Sequence, residues 1–184
     1  QYAGLVPVPV SASALMSGRQ AYVAQLKALL GVCRASVAMG PSEFYPFLAE
    51  AAEELNIPHV GMLDVFERLP ESQEGLRPSE PHEVAYLQYT SGSTGAAQPI
   101  AKNLGQMAAE VAHLENQFGA LLGAADVITT VSHQHIYGLL FNVLWPLAAG
   151  RQIQARSLSW FEDLSATLAA RDAVLISSPA HLSR

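Results

Sequence analysis

The chain has 184 residues, half of them apolar and 14% charged, with a formal net charge of −6. That length supports one domain with a real core, and an acidic balance without clustered Lys and Arg excludes non-specific nucleic-acid binding, which depends on phosphate neutralisation. Cys33, the single cysteine, excludes an internal disulfide and reads as a buried thiol.

Gln1-Tyr2-Ala3-Gly4 lacks the basic leader and apolar run of a signal peptide. The longest apolar segment, 136–150, contains Asn142 and Pro146 and is shorter than the about 20 residues that span a bilayer. These features predict a cytoplasmic protein with no membrane span. Taken in order, Leu5 to Val10 alternates valine with proline, which suits a short extended edge segment. Tyr22, Val23, Leu26, Leu29 and Leu30 recur at helical spacing, Gly31 is placed to end that helix, and a strand is predicted from Val32 to Met39. Ser42 can cap a second helix with the apolar face Phe44, Phe47, Leu48, Ala51 and Leu55, stopped by Asn56. A strand from His59 to Leu63 follows, with His59 at its edge. Residues 67–83, rich in Pro, Glu, Ser and Arg, read as an exposed linker between a first β/α subregion (1–66) and a second (84–184).

The second subregion opens on Val84-Ala85-Tyr86-Leu87-Gln88-Tyr89, alternating as a strand does, and runs into Thr90-Ser91-Gly92-Ser93-Thr94-Gly95. Core packing does not explain that string. Glycines let successive backbone N–H groups converge on an anion, and the hydroxyls of Thr90, Ser91, Ser93 and Thr94 add donors for a polyphosphate. A Walker loop would need a Lys after the last glycine and a helix at once, whereas Ala96-Ala97-Gln98-Pro99 follows and Pro99 pushes Gln98 toward an extended conformation. A nucleophile elbow would need its glycines four apart rather than three. A Ser/Gly-rich surface loop between two strands is the plain structural alternative.

Beyond the loop, Asn103 with Gln106 forms a capping box, and Leu104, Met107, Ala108, Val111, Leu114, Phe118, Leu121 and Leu122 trace one apolar stripe up to Gly123, with Met107 and Phe118 in the core. A strand is predicted from Val127 to Ser132. His133 and His135 stand two apart with no Cys or acidic residue close in sequence, too few ligands for a zinc site. His135-Ile136-Tyr137-Gly138 opens an apolar helix that closes at 145–150. A short strand at 152–154, a capping box of Ser159 with Glu162 before Phe161, Leu164 and Leu168, and a strand from Ala173 to Ser177 complete the pattern. Strands alternating with amphipathic helices predict an α/β fold with a largely parallel sheet and flanking helices.

Tyr89 to Gly95 resembles the phosphate loop of the adenylate-forming superfamily, which includes acyl-CoA synthetases and the adenylation domains of peptide synthetases. His135 to Gly138, 45 positions beyond Thr90, resembles a second motif of that family at a similar separation, and Gly4 to Pro9 resembles a turn that opens one of its sheets. The resemblance implies that the chain is part of the N-terminal domain of such an enzyme. It implies ATP with Mg²⁺ held at Thr90, Ser91, Gly92, Ser93, Thr94 and Gly95. It implies His135 as a catalytic residue, and an acid pocket bordered by His135, Ile136, Tyr137 and Gly138. The reaction implied is activation of a small-molecule carboxylate, a fatty or aryl acid, to an acyl-adenylate. Transfer to the thiol of CoA or of an acyl carrier protein's phosphopantetheine follows. Where the family carries a Lys after the loop this chain has Gln98, and Lys102 is the substitute that could reach back. Family members are longer, with their adenine, ribose, magnesium and catalytic-lysine segments falling after Arg184, so the chain reads as a fragment that acts with the remainder of its own chain. A non-catalytic relative binding acyl groups or partners, and another nucleotide-binding α/β domain such as a kinase, remain as alternatives.

Overall fold

The computed structural model describes residues 4–10, 18–71, 73, 75–89, 98–153, 158 and 161–179. The chain divides into two compact units, one of residues 11–75 and one of residues 1–10 with 76–184, each with a core of its own.

In the 11–75 unit, helix α1 (Arg19–Val32) buries Tyr22, Leu26 and Leu29, one face at helical spacing. That face packs on α2 (Tyr45–Ala52), which buries Leu48, Ala51 and Ala52. Tyr22 meets Phe47 edge-on with ring centroids 5.7 Å apart and Phe44 at 6.4 Å, pairs that add about 0.5–1.5 kcal/mol each beyond the area they bury. Strands β1 (Val37–Gly40) and β2 (His59–Met62) pair in parallel, Val37 opposite His59.

Several boundaries differ from those predicted, each for a local reason. Gly31 lies inside α1, because the N–H groups of Cys33 and Ala35 still bond back to the Leu29 and Leu30 carbonyls. Arg34, with φ of 50°, takes the left-handed position, so Val32 is helical and β1 starts at Val37. Ser42 does not cap α2. The Pro41 carbonyl accepts the Phe44 and Tyr45 N–H groups in a turn, and Pro46 sits in the helix's first turn, where its missing N–H costs nothing. Asn56, also left-handed at φ 50°, does end the 3₁₀ turn Glu53–Leu55 that follows α2. Leu63 starts a short helix, α3 (Leu63–Glu67), instead of ending β2. Cys33 is half-buried rather than buried, its thiol pKa pushed up by desolvation and its Sγ donating to the Leu30 carbonyl at 3.6 Å.

The other unit carries both motifs. Strand β3 (Val84–Tyr89) pairs antiparallel with β4 (Pro99–Asn103), Tyr89 opposite Pro99. On the other side of β3 the Leu87 N–H donates to the Pro7 carbonyl at 3.1 Å, so the predicted edge segment lies there. Strand β5 (Asp126–Thr129) pairs in parallel with β6 (Ala173–Ile176), and Ile153 bridges Val127, again in parallel. The fold is α/β with largely parallel pairing. Helix α4 (Leu104–Leu114) begins at the expected capping box: Gln106 N–H donates to Asn103 Oδ1 at 2.7 Å and Asn103 N–H to Gln106 Oε1 at 3.0 Å. A π-helical turn (Glu115–Gly119) and α5 (Ala120–Leu122) continue it to Gly123, whose φ of 54° ends it.

That π turn breaks the predicted stripe. An extra residue in the turn rotates all that follows, leaving Phe118 43% and Leu121 82% exposed. Phe118 is therefore not a core residue. The core forms from Val127 and Ile128 of β5, Ala85 and Tyr86 of β3, Leu114, Ile176, and Trp145 of the helix after the histidines. Strands β5 and β6 stop earlier than predicted, at Thr129 and Ile176. The Ser159 capping box lies outside the described residues, ahead of a helix at Phe161–Ala170. No helix among the described residues is long and apolar enough to cross a membrane.

Candidate functional site

Thr90, Ser91, Gly92, Ser93, Thr94 and Gly95 lie outside the described residues. The stems on either side, β3 and β4, are described, and they bring Tyr89 and Pro99 opposite each other. The histidine motif follows β5 directly. Thr129 Oγ1 accepts the Val131 N–H at 3.0 Å and Thr130 Oγ1 meets Ser177 Oγ at 2.8 Å, fixing the strand's exit. Ser132 Oγ then accepts the Gln134 N–H at 3.2 Å, a serine turn. Helix α6 (Ile136–Gly138) starts after His135 and continues through a π turn (Leu139–Leu144) into α7 (Trp145–Ala148).

Gln88, two residues before Thr90, ties this motif to β3. Its Oε1 accepts the Ile136 N–H at 2.7 Å, one of the donors that a helix start leaves open. Its Nε2 lies 3.3 Å from both the Gln134 carbonyl oxygen and His135 Nδ1. Tyr86, two residues earlier on the same strand, donates its hydroxyl to the same Gln134 carbonyl at 3.2 Å, and burial pushes its phenol pKa up. Gly138 is needed for this closeness: a Cβ there would stand 2.0 Å from the Ser132 carbonyl oxygen. His135 is exposed, Ile136 half-buried, Tyr137 exposed and Gly138 buried. Tyr137, Phe141 and Trp145 meet in series along one helix face, with ring centroids 4.8 and 6.0 Å apart, the second pair edge-on.

Lys102, opposite Tyr86 on β4, is ion-paired: its Nζ is 2.5 Å from Glu110 Oε1 of α4, both groups about a third exposed or less. Gln98 is exposed. Among the described residues no group of three or more His, Cys, Asp or Glu could hold a metal. A polar cleft does exist in this unit, lined by Glu115, Gly119, Asp126, Gly150 and Arg151. It sits at the amino end of β5, where the guanidinium of Arg151 binds the Gly123 and Ala125 carbonyls at 2.6 and 3.1 Å and staples a helix end. Parallel sheets bind ligands beyond the carboxyl ends of their strands, and the histidine motif follows the carboxyl end of β5 with Gln88 of β3 against it, so this end is the candidate site. Gln88, Tyr86 and Gln134 were not singled out from the sequence. The available signal was a glutamine on a strand that buries both its faces, since a buried amide needs partners.

The model of the AMP-binding enzyme family matches residues 1–168. The chain belongs to this family. It is 29% identical over 150 residues to a Caulobacter vibrioides protein named, provisionally, as an acyl-CoA synthetase, covering 80% of this chain and 26% of that protein. Among solved structures, a chain from a study of fatty acyl-adenylate ligases of E. coli and L. pneumophila superposes with a TM-score of 0.76 at 28% identity, covering 83% of this chain and 28% of its own. The ATP-bound RpMatB-BxBclM chimera B3 covers all of this chain and 36% of its own with a TM-score of 0.79 at 18% identity, a likeness of fold. The chain thus spans about a quarter to a third of the proteins it matches, and its α/β fold matches part of the fold of adenylate-forming enzymes.

Proposed function

We propose that the complete protein carrying this chain activates a carboxylic acid, fatty or aryl, at the expense of ATP. A carboxylate oxygen attacks the α phosphorus, the bond to the β phosphate breaks, and acyl-adenylate and pyrophosphate form. A thiol of CoA or of a carrier protein's phosphopantetheine then loses its proton, its sulfur bonds to the acyl carbon, and AMP leaves. The single observation that carries this reading is the contact between Gln88 and the 134–136 backbone. It joins the strand leading into the hydroxyl-and-glycine loop to the histidine motif, which supports assigning two stretches 45 positions apart in sequence to one site. The ATP bound in the chimera supports the choice of nucleotide.

In this reading the hydroxyls of Thr90, Ser91, Ser93 and Thr94 and the N–H groups of Gly92 and Gly95 stabilise charge on the leaving pyrophosphate, with Mg²⁺ neutralising the phosphates when bound. His135, Ile136, Tyr137 and Gly138 border the acid, and the Tyr137–Phe141 pair gives that border an apolar wall. Lys102 exchanges Glu110 for the triphosphate. The remainder of its own chain covers apolar surface such as Leu76 and Leu121, 75% and 82% exposed, and the 184-residue piece alone does not adenylate. The setting is cytoplasmic, where ATP and CoA are held.

One observation favours a second reading, a non-catalytic relative that binds acyl groups or partners: Lys102 is already neutralised by Glu110. Exchange of labelled pyrophosphate into ATP by the full-length protein, with Mg²⁺ and a panel of fatty and aryl acids, separates the two. Acid-dependent exchange is expected. Its absence for every acid, with ATP still protecting residues 90–95 from hydrogen exchange, assigns the second reading.

A further inference from the structure

We propose that Gln88 is a positioning residue that fixes His135 in the tautomer protonated at Nε2, so that the ring meets its ligand as a hydrogen-bond donor. The assignment follows from two groups whose chemistry admits no choice. The backbone N–H of Ile136 can only donate, so the Gln88 atom 2.7 Å from it is the amide oxygen. The Gln134 carbonyl can only accept, so the atom 3.3 Å from it is the amide nitrogen. Backbone on both sides therefore sets the amide's orientation.

One hydrogen of that NH₂ serves Gln134. The other faces His135 Nδ1, also at 3.3 Å. Nδ1 must then present its lone pair, because a proton there would set two donors against each other, and the ring's proton resides on Nε2. Gln88 is only 9% exposed, so water does not stand in readily for the lost partner. His135 is itself exposed and Gln88 holds its Nδ1 edge, so Nε2–H is the group left to offer. Such a ring donates to an acceptor, such as a carboxylate or acyl-phosphate oxygen, and has no lone pair free to take the proton of an incoming thiol. The role given to that donor rests on the ligase reading of the site; the tautomer does not.

The test is long-range ¹H–¹⁵N spectroscopy of the full-length protein labelled in histidine, with the His135 ring assigned from the peaks lost in His135→Gln. Wild type is expected to show an unprotonated Nδ1 and a protonated Nε2. Gln88→Glu keeps the acceptor for the Ile136 N–H and removes the donor, so Nδ1 is expected to gain a proton while Gln88→Leu loses both contacts. In the same Gln88→Glu protein, kcat/KM for the acid is expected to fall roughly tenfold, the worth of one charge-assisted hydrogen bond, with KM for ATP unmoved. A protonated Nδ1 in wild type, or a ring state unchanged by Gln88→Glu, overturns the proposal, and the wild-type spectrum decides even if the variants fail to fold. The expected tautomer in a protein with no pyrophosphate exchange leaves the proposal standing and removes the ligase reading instead.

Discussion

Lys102 is held by the Glu110 carboxylate, and in the function proposed above a phosphate would compete for it. Its partner Glu110 is anchored about one helix turn beyond Gln106 of the capping box, so the pair clamps β4 to α4. If Lys102 supplies the cation that Gln98 does not, Lys102→Ala raises KM for ATP by about 10- to 100-fold, since a charged hydrogen bond contributes about 1.5–3 kcal/mol. Glu110→Gln releases the competitor and lowers the same KM by up to about fivefold, because a part-exposed pair is worth at most about 1 kcal/mol. Pyrophosphate exchange measured against ATP concentration reads both. Opposite shifts support the role, whereas no shift in either leaves Lys102 as a clamp. Reading the residues identified the lysine and its distance from the loop along the chain. It could not find Glu110, because pairing between a strand and a helix face depends on how far the helix has turned when it passes the strand.

At the scale of elements, local chemistry was legible wherever neighbours in sequence determine it. The Asn103–Gln106 box, the Asn56 stop and the strand Val84–Tyr89 all stand as read. The two π turns, Glu115–Gly119 and Leu139–Leu144, were not legible, since a 3.6-residue period assumes that every turn is regular. The first has a tertiary partner. Glu115 Oε2 accepts the Trp145 Nε1–H at 2.7 Å, and Trp145 is 2% exposed, so the first π turn serves a buried indole on a distant helix. Glu115→Leu strands that donor and is expected to lower stability by about 1–3 kcal/mol, the cost of an unsatisfied buried group. Glu115→Gln keeps an acceptor oxygen and should recover most of the loss. Urea midpoints of the full-length variants check this. An equal loss in both variants would mean that the charge, which also faces Arg151 at 3.6 Å, matters more than the indole bond.

For the molecule as a whole, the composition indicated a core but not that it would be two. The hydrophobic pattern marks what is buried, not which buried faces meet, and each unit closes on its own set of aromatic residues. Both cores share one consequence for pH. Tyr22 in one unit and Tyr86 in the other have phenol pKa values raised by burial, and the half-buried Cys33 thiol is raised for the same reason. For each group the folded state holds its proton to higher pH than the unfolded chain does. Between the two pKa values the unfolded chain has therefore released a proton that the folded one keeps, and stability falls as pH rises. Below the unfolded value none of this loss is present. The urea midpoint of the full-length protein is thus expected to decline first through the ordinary thiol range and then more steeply through the ordinary phenol range, about 8.5 and about 10. Ionisation of Tyr86 would turn its donor to the Gln134 carbonyl into an anion facing that oxygen. Tyr86→Phe should lower stability by about 1 kcal/mol at neutral pH, where the hydrogen bond is intact, and flatten the decline in the phenol range. Cys33→Ala should flatten only the earlier one. A Tyr86→Phe profile parallel to wild type across the phenol range would show that this hydroxyl is already solvated when the protein is folded, and that β3 does not hold the histidine loop through it.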